Sequence, residues 1–82
     1  MSYPPKYLPL EPLLRLCAIR HEITVEEIAD SQVAAMCSVD VRTVNRWRAE
    51  RRLNVISADR VAIGMGMHPA LIWGANWFEG ET

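Results

Sequence analysis

The chain has 82 residues, half of them apolar, and a formal net charge of −1 at pH 7. This length allows one domain, and the apolar content supports a small core, which excludes a multidomain protein and argues against a disordered chain. The apolar runs are too short to cross a membrane, and the first residues lack the charged start and long apolar stretch of a secretory signal. We therefore expect a cytoplasmic protein without a membrane partner.

The first predicted elements are an extended arm and a helix. Prolines at positions 4, 5 and 9 predict an extended N-terminal arm over residues 1–9. Pro12 suits a first helical turn, and the apolar residues after it follow at spacings of three and four, which predicts a helix from Glu11 to Arg20. Thr24 to Glu27 forms a capping-box pattern, but the pattern leaves open whether residues 21–30 form a separate helix.

Two adjacent helices are predicted in the middle of the chain. Asp30 or Ser31 can cap the start of the first, whose apolar positions end at Cys37. Asp40 is a good N-cap for the second, which is expected from Val41 to about Arg51.

The remaining helices follow in the last third of the chain. Asn54 can cap a fourth helix that stops near Gly66, and Pro69 can start a fifth that runs to Trp73. No stretch alternates over strand length, so we expect an all-α compact bundle of about five short helices. The arm at 1–9, one domain at 10–78 and a tail at 79–82 complete the predicted organisation.

Several residue types in the chain have a structural interpretation. Cys17 and Cys37 lie in apolar helical patterns and are expected to be buried free thiols, with a disulfide as the alternative. Trp47, Trp73 and the methionines Met36, Met65 and Met67 are expected in the core. Trp77 and Phe78 either cover the core or form an apolar patch for a homodimer through the C-terminal aromatic segment.

Motifs for chemistry are absent. The two histidines are isolated and without metal-ligand spacing, and no phosphate-binding glycine loop or nucleophile motif occurs. We therefore expect no enzyme activity, no metal, no cofactor and no small-molecule substrate.

The third predicted helix has two different faces. Residues 42–52 hold five arginines and one acid, whereas residues 22–30 hold four acids and no Lys or Arg. Val44 and Trp47 are three apart and share an apolar face, whereas Val41, Arg42, Asn45 and Arg46 share another. Such a helix can pack one face into a core and place the other in a DNA groove, although a solvated helix surface is the simpler alternative.

The segment from about residue 30 to 73 resembles the helix-turn-helix domains of phage and bacterial repressors of the lambda-repressor and Cro type. Ala34, Val39, Val44 and Trp47 fall where that family has small or apolar core residues. The sequence VRTVNRWR at 41–48 resembles the family's recognition helix, and LNVISADRVAIGMGMHPALIW is similar to the next two helices of many actinobacterial and actinophage proteins. The resemblance implies a DNA-binding regulator, such as a phage Cro-like or immunity-related repressor that acts as a dimer on a two-part site.

Two positions depart from the family pattern. Ser38 occupies the turn position that is usually glycine, where a left-handed backbone would cost serine about 1 kcal/mol or more. Asp40 places an acid at the start of the recognition helix, where serine is common.

Roles in DNA recognition follow from side-chain chemistry. Arg42 or Arg46 can pair with guanine, Asn45 can pair with adenine, and Val41 can contact a thymine methyl group. The predicted base contacts are therefore Val41, Arg42, Asn45 and Arg46. The predicted phosphate contacts are Ser31, Gln32, Thr43, Arg48, Arg51 and Arg52.

Two other functions remain as alternatives. An excisionase or similar recombination accessory factor would also bind double-stranded DNA, but would act by bending it. A protein-interaction module would keep the fold without binding DNA, and the net negative charge and Asp40 favour it.

Overall fold

Five α-helices account for most of the chain in this computed structural model, which describes residues 7–74 and Trp77. The expected all-α compact bundle is confirmed. No helix among these residues is both long and apolar enough to cross a membrane. The elements in chain order are β1 Tyr7–Pro9, α1 Glu11–His21, a 3-10 turn at Val25–Glu27, α2 Asp30–Cys37, α3 Val41–Glu50, β2 Arg52–Asn54, α4 Val55–Gly64 and α5 Pro69–Trp73.

A two-stranded antiparallel ribbon joins β1 to β2, with Leu8 opposite Leu53 and Pro9 opposite Arg52. This short ribbon adds to the expected helical bundle and was not predicted from the sequence. Each strand has three residues with a single buried leucine in the middle, which is too short to show alternation in the sequence. Residues 7–9 are extended as predicted, but Leu8 is only 1% exposed, so this part of the predicted arm belongs to the core. Residues 1–6 and the tail at 79–82 lie outside the described residues.

Local capping signals fix some helix ends, whereas Asp30 and Ser31, predicted as caps, lie inside α2, whose N-cap is Ala29. The backbone N–H of Thr24 donates to Glu27 Oε1 at 2.9 Å, which confirms the capping box, but it starts a single 3-10 turn. This backbone bond and a second bond from the Thr24 hydroxyl hold the pKa of Glu27 below its ordinary range. Asn54 Oδ1 accepts from the Ser57 N–H at 2.7 Å and caps α4 as predicted. Gly74, with φ of 60°, ends α5.

The core lies between the ribbon and all five helices. Trp47 and Trp73 are each 3% exposed, and the Trp73 indole N–H donates to the Pro9 carbonyl at 2.7 Å. Trp77 is partly buried and packs against the core, which agrees with the prediction that it covers the core. Phe78 lies outside the described residues. The buried core residues are Leu8, Leu10, Leu13, Leu14, Cys17, Ile28, Val33, Ala34, Cys37, Val44, Trp47, Leu53, Ala58, Val61 and Trp73.

The cysteines and methionines fill or border this core. Cys17 and Cys37 are free and buried, as predicted. A hydrogen bond with the Cys17 thiol, followed by burial, raises the pKa of the Cys37 thiol and keeps it protonated. Met36 and Met65 are half-buried against the core, and the Sδ atom of Met67 accepts a hydrogen bond from Arg20 Nη2 at 3.4 Å.

Candidate nucleic-acid interface

A three-residue turn, residues 38–40, joins α2 to α3. Ser38 has φ of 58° and ψ of 44°, so it adopts the left-handed conformation that glycine adopts more easily. The Val39 N–H donates to the Ala34 carbonyl at 3.0 Å, which closes the end of α2, and the Val39 side chain packs against the core. The sequence therefore builds this turn without glycine, at the cost of backbone strain at Ser38.

Asp40 occupies the N-cap position of α3, as predicted, but its side chain makes no capping hydrogen bond. Its backbone carbonyl instead accepts from the N–H groups of Thr43 at 3.0 Å and Val44 at 3.4 Å. The exposed carboxylate is left beside the first turn of α3. A negative charge at this point interacts favourably with the helix dipole but opposes the approach of a phosphate.

The two faces of α3 separate as the spacing predicts. Val44 is fully buried and Trp47 is 3% exposed, so this side of the helix anchors α3 in the core. The predicted base-contact residues Val41, Arg42, Asn45 and Arg46 are all exposed. None of these side chains forms a hydrogen bond or ion pair with the part of the chain that the structure describes, so the donors of Arg42, Asn45 and Arg46 are open to a ligand.

Arg48 lies between the two faces and has an internal role. Its Nε atom donates to Asp30 Oδ1 at 2.6 Å, and its Nη2 atom donates to the Ile28 carbonyl at 2.8 Å. The side chains of the ion pair are only 33% and 28% exposed. These two bonds fasten α3 to the start of α2 and neutralise an acid there. Sequence reasoning assigned Arg48 to phosphate and missed this pair, because Asp30 lies far from it along the chain.

The other predicted phosphate contacts lie on α2, on α3 or at its end, and in β2. Ser31 is exposed at the start of α2, and Gln32 is half-buried with its Oε1 accepting from the Ala29 N–H at 2.8 Å. Thr43 is half-buried beside a cavity of about 320 Å³ between α3 and α4. Arg51, exposed with φ of 61°, ends α3.

Arg52 follows in β2. It is exposed and stacks its guanidinium 3.9 Å from the centre of the Tyr7 ring. This cation–π contact holds the charge beside the end of α3, while the outer edge of the guanidinium keeps donors for a phosphate.

No group of three or more His, Cys, Asp or Glu side chains that could hold a metal ion occurs within residues 7–74 or at Trp77. The arrangement offers guanidinium and amide donors on a rigid helix, which suits hydrogen bonding to base edges and phosphates.

Comparisons with known proteins add no relative. No family model matches the chain, and no similar curated protein or solved structure was found. Its function therefore has to be argued from its own residues.

Proposed function

We propose that the protein is a sequence-specific double-stranded DNA-binding transcriptional regulator that places α3 in the major groove. The observation that supports this proposal is the division of α3, which buries Val44 and Trp47 while it exposes Arg42, Asn45 and Arg46. A major groove accepts one α-helix, and the exposed side chains carry the donors that pair with guanine and adenine.

The surrounding cations and helix ends would orient the body on the DNA backbone. Arg51 and Arg52 extend the positive charge past the end of α3, and Ser31 in the first turn of α2 and Thr43 in the first turn of α3 carry hydroxyl donors. Phosphate contacts of this kind add affinity without reading sequence. Arg48 is a positioning residue in this proposal, since its guanidinium already binds Asp30 and the Ile28 carbonyl.

The finer assignment is a phage Cro-like or immunity-related repressor that works in a bacterial cytoplasm by occupying an operator. This part of the proposal is carried by the resemblance of residues 41–48 to a repressor recognition helix. An interaction module without DNA binding is the second candidate, and the exposed Asp40 carboxylate beside α3 favours it.

Selection of bound sequences from a random DNA pool, followed by affinity measurements over a series of salt concentrations, tests the proposal. Arg46→Ala and Asn45→Ala should each lower affinity for the selected sequence by about 5- to 150-fold, the equivalent of about 1–3 kcal/mol for a lost bidentate base contact. Arg51→Ala should weaken binding to all sequences and reduce the salt dependence by about one phosphate contact.

Arg15→Ala is the matched control, because Arg15 is an exposed arginine on α1 whose partner is Glu11. It should leave the preference for the selected sequence unchanged. Wild-type affinity in both the Arg46→Ala and Asn45→Ala variants would refute base reading by α3. Failure of the wild-type protein to select any sequence would favour the interaction module.

A further inference from the structure

The outward face of α3 has a neighbouring helix on each flank. On one flank, Arg48 bonds Asp30 at the start of α2. On the other flank, Thr43 and Trp47 line the cavity of about 320 Å³ between α3 and α4. Thr43 and Arg48 are five positions apart, which is about 140° around a helix of 3.6 residues per turn. The start of α2 and the cavity beside α4 therefore lie on opposite sides of the outward face.

A helix in the major groove lies close to both phosphate backbones. The groove is about 12 Å wide and an α-helix with its side chains is about 10–12 Å across, so each flank of α3 would face one backbone. Ser31 and Gln32, the phosphate contacts predicted on α2, belong to the first flank. Of all the predicted phosphate contacts, Thr43 alone lines the cavity on the second flank, and it is neutral. The prediction from the sequence therefore assigned no cation to the α4 flank.

Arg60 supplies a cation at this cavity. It lines the cavity together with Ser57, which precedes it by three positions and so shares its face of α4. Arg60 is exposed, and its guanidinium forms no hydrogen bond or ion pair within residues 7–74 or with Trp77. The Ser57 N–H donates to Asn54 Oδ1, whereas the Ser57 hydroxyl has no bond to another described residue. The guanidinium and this hydroxyl are therefore available to a ligand.

The residues around the cavity suit a phosphate group. A guanidinium binds phosphate through two parallel N–H bonds, and threonine and serine hydroxyls donate to phosphate oxygens. Among the described residues, no Asp or Glu lines this cavity, so no carboxylate there opposes an anion. Trp47 and Val61 form apolar wall, which strengthens a charged hydrogen bond beside it. Gly64 adds no side chain, and a Cβ atom there would meet nothing within 4 Å, so this side of the cavity is open.

We propose that Arg60, with the hydroxyls of Ser57 and Thr43, binds a phosphate of the DNA backbone at the cavity between α3 and α4. This inference rests on the proposed function, because α3 must lie in the groove before a backbone phosphate can reach the cavity. The contact holds the flank of α3 opposite Ser31, so the helix is fixed from both sides and cannot rotate in the groove. Arg60 adds affinity and orientation, and it reads no base.

The salt dependence of DNA binding tests the charge at position 60. Affinities for the selected duplex and for an unrelated duplex are measured between about 0.05 and 0.3 M salt. Arg60→Ala should weaken binding to both duplexes by about fivefold at about 0.15 M salt and lower the slope of log affinity against log salt by about 0.9. Arg60→Lys should keep most of the slope, because lysine keeps the charge. Arg15→Ala makes the same change in net charge on α1 and should keep the wild-type slope.

Single methylphosphonates, which are uncharged, locate the contact when each replaces one phosphate of the selected duplex. At the phosphate that Arg60 binds, the replacement should weaken wild-type binding by about fivefold and should not weaken Arg60→Ala further. At the other contacted phosphates, it should weaken both proteins equally. Ser57→Ala should lower affinity by about two- to tenfold without changing the slope, because a hydroxyl carries no charge. Circular dichroism checks that each variant keeps its helical content.

Three results would overturn this inference. If the wild type selects a sequence and Arg60→Ala binds it with the same affinity and slope, the Arg60 contact is wrong and the proposed function stands. If the losses from Arg60→Ala and from every methylphosphonate simply add, Arg60 acts through long-range charge and binds no particular phosphate. If inorganic phosphate without DNA shifts the NMR signals of Ser57 and Arg60 while DNA binding ignores Arg60→Ala, the cavity binds a free anion instead. A wild type that selects no duplex would overturn both this inference and the proposed function.

Discussion

Arg48→Ala tests whether the Arg48–Asp30 ion pair stabilises the fold. The variant removes the bond to Asp30 Oδ1 at 2.6 Å and the bond to the Ile28 carbonyl at 2.8 Å. A hydrogen bond to a charged group contributes about 1.5–3 kcal/mol, and a neutral acceptor that loses its donor adds about 1 kcal/mol. Because both side chains are about one-third exposed, water replaces part of this loss, and we expect a net destabilisation of about 1–3 kcal/mol.

Thermal denaturation followed by circular dichroism measures this loss. For a domain of this size, each kcal/mol corresponds to about 4–8 °C in Tm, so the variant should melt at least about 4 °C below the wild type. Arg42→Ala is the matched control, because Arg42 is an exposed arginine of the same helix. Its stability should change by no more than about 0.5 kcal/mol.

A double-mutant cycle with Asp30→Asn separates the ion pair from the rest of the Arg48 side chain. We expect a coupling free energy of about 1 kcal/mol between the two positions. An unchanged Tm for Arg48→Ala, together with a weaker salt dependence of DNA binding, would contradict the internal role. That result would indicate that Arg48 contacts a DNA phosphate, as the sequence predicts.

Two further predictions concern local backbone and capping. Ser38→Gly should raise the free energy of unfolding by up to about 1 kcal/mol in urea denaturation, since it relieves the left-handed backbone at φ of 58°; equal stability would show that this turn is unstrained. The lowered pKa of Glu27 stabilises the fold above the ordinary pKa range of a glutamate, and this stabilisation disappears as the pH falls through the lowered folded value. The wild type should therefore have a higher Tm than Glu27→Gln at neutral pH and the same Tm in strong acid. Glu26→Gln is the control, because Glu26 lies outside the capping box. A difference in Tm that does not change with pH would contradict this role of Glu27.

Helix positions could be predicted because their signals are local. Pro12, Asn54 and Pro69 mark helix starts within one turn of the observed ones, and Gly74 marks a helix end. The inward and outward faces of α3 were predictable for the same reason, since residues three and four apart share a face wherever the helix forms. Whether the outward face meets DNA is a separate question that helical spacing does not answer.

The features that the sequence did not reveal depend on contacts between distant residues. Leu8 and Leu53 form the ribbon from strands too short to show a pattern, and their pairing is fixed only when the helices between them have packed. Arg48 reaches Asp30 because the start of α2 and the end of α3 lie close together in the fold, which no local spacing specifies. Asp40 occupies the N-cap position of α3 without a side-chain capping bond, and its backbone carbonyl accepts the N–H groups of Thr43 and Val44. A favourable capping residue therefore does not guarantee a capping hydrogen bond.

The β1–β2 ribbon has a consequence for how α3 meets a ligand. Its second strand, β2, begins at Arg52, directly after Arg51. The Arg51 carbonyl accepts the Leu10 N–H at 3.2 Å, which links the end of α3 to the start of α1. Arg48, in the last turn of α3, also bonds Asp30 at the start of α2, so two contacts restrain this end of the helix. The entropic penalty of complex formation then falls mainly on the long arginine side chains, at about 0.5–1.5 kcal/mol for each one immobilised.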